Sequence, residues 1–144
     1  MHLYCLYCIY CSDRGNCYFT GQLSKETTMW QTIDLNNYID SYLIDNQLVK
    51  YNLSAWLGGY QNQNDCASVS LFFQDQFNQT IGNGTQIGPV LAADRGNVNS
   101  LVFRQTNGLV PIGTRFFEIL VTLTLAAGSF NNGEVDNIRV TLYP

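Results

Sequence analysis

At 144 residues and 16.2 kDa the chain fits one domain, long enough to bury about two-thirds of its unfolded surface unaided and too short for a second. Charged residues are 12% of the chain against a usual value of roughly 25%, so its polarity comes mainly from amides and hydroxyls, a chemistry that suits sugars and hydrogen-bonded packing. The net charge of -4, the pI near 4.6 and seven scattered Lys and Arg exclude nucleic acid as a partner, and the absence of a run of about 18 apolar residues excludes membrane insertion by a helix.

The chain opens on MHLYCLYCIYC. As a signal segment this stretch lacks a preceding Lys or Arg and a small-residue cleavage site. As a strand it is apolar on both faces, with Leu3, Cys5, Tyr7 and Ile9 against Tyr4, Leu6, Cys8 and Tyr10. Cysteines stand at Cys5, Cys8, Cys11, Cys17 and Cys66. Structural zinc calls for separated Cys pairs or His partners, and the only histidine is His2. Disulfides fit better, with one of the five thiols left over, and small apolar tiles in a buried strand are an equal alternative.

Short strands are predicted near residues 29–35, and residues 37–45 carry at most a turn or two of helix. From 48 to 57 the odd positions Val49, Tyr51, Leu53, Ala55 and Leu57 alternate with polar ones, the period of a half-buried strand. After a turn-rich stretch over 58–65 the pattern returns, with Ala67, Val69, Leu71 and Phe73 on one face. These two strands form either a hairpin or a connection between sheets. Sequons stand at Asn52, Asn78 and Asn83. The latter two flank an expected turn, and Asn52 has the solvent parity of its strand, so all three are expected to carry glycans outside the cell. Further short strands are expected at 86–91 and 100–105, and a long one over 115–125 with Phe117, Ile119, Val121 and Leu123 inward. Asn131-Asn132-Gly133 reads as a turn before a closing strand that points Ile138, Val140 and Leu142 inward. Many short strands separated by Gly- and Asn-rich turns give an all-β fold, a two-sheet antiparallel jelly-roll sandwich over residues 16–144, preceded by an atypical Cys- and Tyr-rich strand segment over 1–15.

Several motifs recur in a known order: WQTIDL from Trp30, LSAWLGGYQNQND over 53–65, GPVLAADRG over 88–96, VPIGTR over 110–115 and NNGEVDNIRVTLYP over 131–144. In these, about the last four-fifths of the chain resembles secreted galactose-binding-domain-like jelly rolls, related in plan to many carbohydrate-binding modules. The resemblance does not reach residues 1–15, where such modules usually begin with a different strand. It implies a structural calcium ion held in part by an acidic residue before the last strand, here Asp136. The alternative is that Asp136 caps a turn through backbone N–H groups.

Catalysis has little to work with, because the only His is His2 and no nucleophile and base stand out. Sugar binding would use an aromatic ring against the apolar face of a pyranose, with amides and carboxylates on its hydroxyls. Trp56, Tyr60, Asn62, Asn64 and Asp65 lie together on and after a strand end and form the candidate site, unless Trp56 packs under a loop or against a second sheet. Asp94, Arg95 and Arg115 read as structural, each Arg forking to a loop carboxylate or carbonyl. Two functions remain. One is a non-catalytic, lectin-like extracellular glycoprotein module. The other is a glycosylated subunit of a self-assembling fibre, a homopolymer joined by its N-terminal strand or by an intermolecular disulfide.

Overall fold

The structure is a computed structural model that describes Leu6–Tyr7 and residues 17–144. The expectations for His2, Cys5, Cys8, Cys11 and the rest of the terminal segment lie outside the described residues. The strands are β1 (Leu6–Tyr7), β2 (Cys17–Gln22), β3 (Glu26–Asp34), β4 (Lys50–Gly59), β5 (Cys66–Gln74), β6 (Thr80–Ile87), β7 (Ser100–Leu109), β8 (Phe116–Thr124) and β9 (Asn131–Tyr143), with alternation of apolar and polar side chains clearest in β4, β5 and β8. The helical hint becomes a 3-10 turn at Leu35–Asn37 and one short helix, α1 (Ser41–Asp45), capped by the Asp40 carboxylate accepting from the Tyr42 N–H.

Two antiparallel sheets face each other, one ordered β1-β2-β9-β4-β7 and the other β3-β8-β5-β6. The strands β4 and β5 therefore sit in different sheets, and residues 60–65 form a connection between them. Their odd positions meet across the gap. Leu53, Ala55, Leu57, Ala67, Val69 and Leu71 are fully buried, closed in by Phe117, Val121, Leu123 and Val135. Tyr51, Phe73 and Phe117 form an aromatic chain from one sheet to the other, with ring centroids 5.2 and 5.4 Å apart. Arg115 forks onto Asp45 at 3.0 and 2.7 Å, tying the start of β8 to α1 and holding the Asp45 carboxyl below its usual range.

Three sequence expectations need correction. Asn131-Asn132-Gly133 is the first part of β9 and not a turn. Asn131 is fully buried, its amide donating to the Leu123 carbonyl of the facing sheet and its Oδ1 accepting from the Gly133 N–H, so a turn-forming residue here bridges the sheets. Gly133 is there for space, since a Cβ would lie 2.3 Å from the Cys66 carbonyl oxygen. The strand expected at 86–91 is instead β6, which ends at Ile87, because Gly88 turns away at φ 84. Cys66 is no disulfide partner but a free thiol. It begins β5 in one sheet with the outward parity, whereas Cys17, which is disulfide-bonded, begins β2 in the other. Burial, and then the neighbouring Asp65 charge, push the Cys66 thiol up.

Candidate functional site

Since Tyr51, Leu53, Ala55 and Leu57 point inward, the even residues of β4 face outward, and the ladders on either side fix what stands beside them. The first rung is Phe103, Trp56 and Asp136; the second is Gln105, Ser54 and Arg139; the third is Asn107, Asn52 and Thr141. Between the first two rungs β9 carries one extra residue. Asn137, at φ 45, forms a bulge, and the step from Asp136 to Arg139 on β9 matches the step from Trp56 to Ser54 on β4. The bulge keeps Ile138, Val140 and Leu142 against the core and Arg139 and Thr141 on the outer face.

Trp56 and Phe103 form a tilted pair, centroids 5.5 Å apart at 59°, with Phe103 43% exposed. Such a pair offers an apolar step on a sheet face whose neighbouring rungs carry amides, hydroxyls and the Arg139 guanidinium. Glu134 lies opposite Gly58, one rung beyond Trp56. Burial pushes its carboxyl up to about 7, against the attraction of the Arg95 charge and a hydrogen bond from Tyr18. Asp136 is buried, and its Oδ1 accepts from the Asn137 N–H at 2.7 Å.

The site expected from sequence is divided. Trp56 stands on the sheet face, while Tyr60, Asn62 and Asn64 lie on the loop past the end of β4, all exposed. Asn64 accepts from the Ala92 N–H at 3.1 Å. Asp65 is not presented to a ligand. It is fully buried, with its carboxylate accepting from the backbone N–H groups of Ala126 and Asn132 at 2.8 and 2.9 Å. Sequence reasoning missed Phe103, Gln105 and Asn107, which alternate outward on β7 but join Trp56 only through the register of β4 with β7. Asp136 lies within β9, at neither a loop end nor a turn, and its carboxylate accepts from the N–H of the adjacent Asn137. Calcium takes six to eight oxygens, and among the described residues no group of three or more His, Cys, Asp or Glu gathers.

Comparison of the sequence with family models and with curated proteins finds no match. Solved structures do match. TmCBM61, solved in complex with β-1,4-galactotriose, superposes with a TM-score of 0.52 at 13% identity, over 90% of this chain and 72% of that one. A family 16 carbohydrate-binding module matches with the same TM-score, 0.52, at 16% identity, over 88% of this chain and 77% of that one. The fold is that of carbohydrate-binding modules. The enzymatically active domain of tailspike protein 4 of bacteriophage CBA120 contains the same fold, with a TM-score of 0.58 at 17% identity over 88% of this chain. This chain spans only 15% of that protein.

Proposed function

We propose that this chain is an extracellular, non-catalytic carbohydrate-binding domain that holds a glycan on the outer face of the five-stranded sheet, against Trp56 and Phe103. The observation that carries this reading is the aromatic pair, half-buried Trp56 beside exposed Phe103, set in a rung of a sheet whose next two rungs bear the exposed side chains of Gln105, Arg139, Asn107 and Thr141. A pyranose has one apolar face and a rim of hydroxyls, so a ring platform flanked by amides and hydroxyls matches both. Binding is favoured over catalysis because no histidine occurs among the described residues and the carboxylates on this face already accept hydrogen bonds from Tyr18 and from the Asn137 N–H. The exposed sequon residues Asn78 and Asn83 support an extracellular setting.

The test is a glycan array followed by calorimetry on the wild type, Trp56→Ala, Phe103→Ala and Trp30→Ala. Trp30, 65% exposed on edge strand β3 of the other sheet, is the control. Loss of either ring of the pair is expected to weaken binding about 10- to 100-fold, that is, by roughly 1.4 to 2.7 kcal/mol, and Trp30→Ala to leave it unchanged. A wild type that retains no glycan class, or a loss confined to Trp30→Ala, overturns the reading.

A further inference from the structure

The outermost strand of a sheet leaves backbone donors and acceptors without partners, and folded proteins disable such edges with charge, proline, bulges or a short strand. The strand β3 carries none of these. It closes one side of the four-stranded sheet and pairs with β8 along its whole length without a bulge. From Thr27 to Ile33 it reads TTMWQTI, with no charge, no Gly and no Pro, the composition of segments that pair with themselves. The other long edges are treated differently. β6 has Gly82 and Gly84 at positive φ and loses register against β5. β7 holds Arg104 opposite the inward Ala55, and the Arg104 guanidinium donates to the Phe103 carbonyl at 3.3 Å.

Two backbone hydrogen bonds fix which groups of β3 are spare. The Leu35 N–H donates to the Arg115 carbonyl at one end and the Leu125 N–H to the Lys25 carbonyl at the other, both at 2.9 Å. Residues of an antiparallel strand alternate between bonding the neighbour and facing away from it, and the register runs unbroken between these bonds. Odd residues of β3 therefore bond β8, and the N–H and C=O groups of Glu26, Thr28, Trp30, Thr32 and Asp34 point away from it. The Ser24 hydroxyl donates to the Glu26 carbonyl, which leaves Thr28, Trp30 and Thr32 as an open run with the exposed Trp30 ring at its centre. On the core side of the same edge lies a groove of about 320 Å³, lined by Phe19, Met29, Ile119, Val121 and Ile138 among others.

We propose that β3 is a dimer edge, at which two copies of this chain pair β3 with β3, antiparallel about a two-fold axis, to make one continuous sheet. The charges select the register. An axis through Trp30 sets Glu26 against Asp34 at both ends, and an axis through Thr28 shortens the ladder to residues 26–30. An axis through Met29 pairs residues 26–32, with Thr28 opposite Trp30, Thr27 opposite Gln31 and Glu26 opposite Thr32, and opposes no like charges. The spare groups of Thr28 and Trp30 then meet those of Trp30 and Thr28 on the other copy, and Met29 meets Met29 beside the groove. Each copy spends the same strand, so the contact closes as a pair and does not grow into a fibre. The axis stands perpendicular to the sheet, so both five-stranded sheets lie on one side of the pair, and the aromatic faces proposed above look the same way. That arrangement suits a surface bearing many copies of a glycan and leaves the affinity of each face unchanged. The pairing itself rests on β3 alone.

The experiment is sedimentation velocity of the full chain over a range of micromolar concentrations, with hydrogen exchange of the β3 amides and no glycan present. The proteins are the wild type, Trp30→Ala, Thr28→Pro and Thr28→Lys/Trp30→Glu. The wild type is expected to pass from monomer to dimer as concentration rises, with the Thr28 and Trp30 amides gaining protection and those of Met29 and Gln31 protected throughout. Trp30→Ala weakens the dimer about tenfold or more. Thr28→Pro removes only an outward N–H and spares every bond to β8, so it melts as a folded domain and sediments as a monomer; should it not fold, Thr32→Pro replaces it. In the Met29 register Thr28→Lys/Trp30→Glu sets the new ammonium opposite the new carboxylate twice and keeps a dimer that high salt weakens. About Trp30 or Thr28 it would set like charge against like. A wild type that stays monomeric, a dimer that the proline variant retains, or a monomeric charge-pair variant overturns the proposal. So do Thr28 and Trp30 amides already protected in the monomer, since the edge would then be covered within one chain.

Discussion

Glu134 shows how a single side chain makes the fold sensitive to pH. Its carboxyl sits near 7 in the folded protein because burial penalises the charged form more than Arg95 and Tyr18 compensate. Below about pH 4.5 the group is protonated folded or unfolded, and it contributes no slope. Between there and about 7 the folded chain holds the proton and the unfolded chain has released it, so stability falls as pH rises. The stabilising difference is fully present at the acid end and lost once pH passes the folded value, about 3 kcal/mol in all. Urea unfolding of the wild type and Glu134→Gln from pH 4 to 8 checks this. The wild type is expected to lose that amount relative to the variant across the window, and parallel curves would show that the carboxyl titrates normally. The sequence contains the letter E but not this property, since the burial and the opposing Arg95 and Tyr18 come from segments far along the chain. Arg95 itself was readable as a structural fork, because an Arg among turn residues has few other uses.

At the scale of strands, the residues that alternate cleanly are where they were expected. The inward set from Val49 to Leu57, that from Ala67 to Phe73, and Phe117, Val121 and Leu123 are all buried, because period-2 alternation forces one face inward. Where local chemistry and tertiary space disagreed, space decided. Asn131 and Gly133 have turn letters, yet Asn131 supplies a hydrogen bond between the sheets, to the Leu123 carbonyl, and Gly133 lets β9 pass the Cys66 carbonyl. That close approach predicts that Gly133→Ala destabilises the domain by about 3 kcal/mol or more, read as a lower denaturation midpoint. Gly82→Ala, whose Cβ would meet nothing within 4 Å, is expected to lose about 1 kcal/mol, from its positive φ alone. Equal losses in the two variants would remove the steric account. The strand β2 was missed because CYFTGQ is short and lacks alternation; it exists by pairing with β9.

At the scale of the molecule, the aromatic face is a property of pairing and not of any one strand. Trp56 was identifiable from its parity, while Phe103 and Asp136 became its neighbours only once β7 and β9 were set on either side of β4. The same placement separates the three sequons. Asn78 sits in an exposed turn at φ 60 and Asn83 is exposed on β6, an edge strand. Asn52 is half-buried at the centre of a sheet, 3.5 Å from the Gln105 amide. In a secreted preparation, glycopeptide mass spectrometry is expected to find sugar on Asn78 and Asn83 and bare Asn52. Full occupancy at Asn52 would place a glycan on the third rung and sink the assignment of that face to an external ligand.

The bulge at Asn137 gives β9 an unusual tolerance to loss. Removing one residue from a strand ordinarily turns every later side chain to the wrong face. Here the sequence without Asn137 alternates without interruption, and Asp136 and Arg139 would stand as far apart as Trp56 and Ser54, the residues they already oppose. Asn137 thus acts as an insertion that the ladder absorbed, and the core does not depend on it. A chain lacking Asn137 is expected to fold with a melting temperature close to that of the wild type, whereas deletion of Val140 should abolish folding. A collapse in both would mean that β9 needs the twist of its bulge as well as its phase.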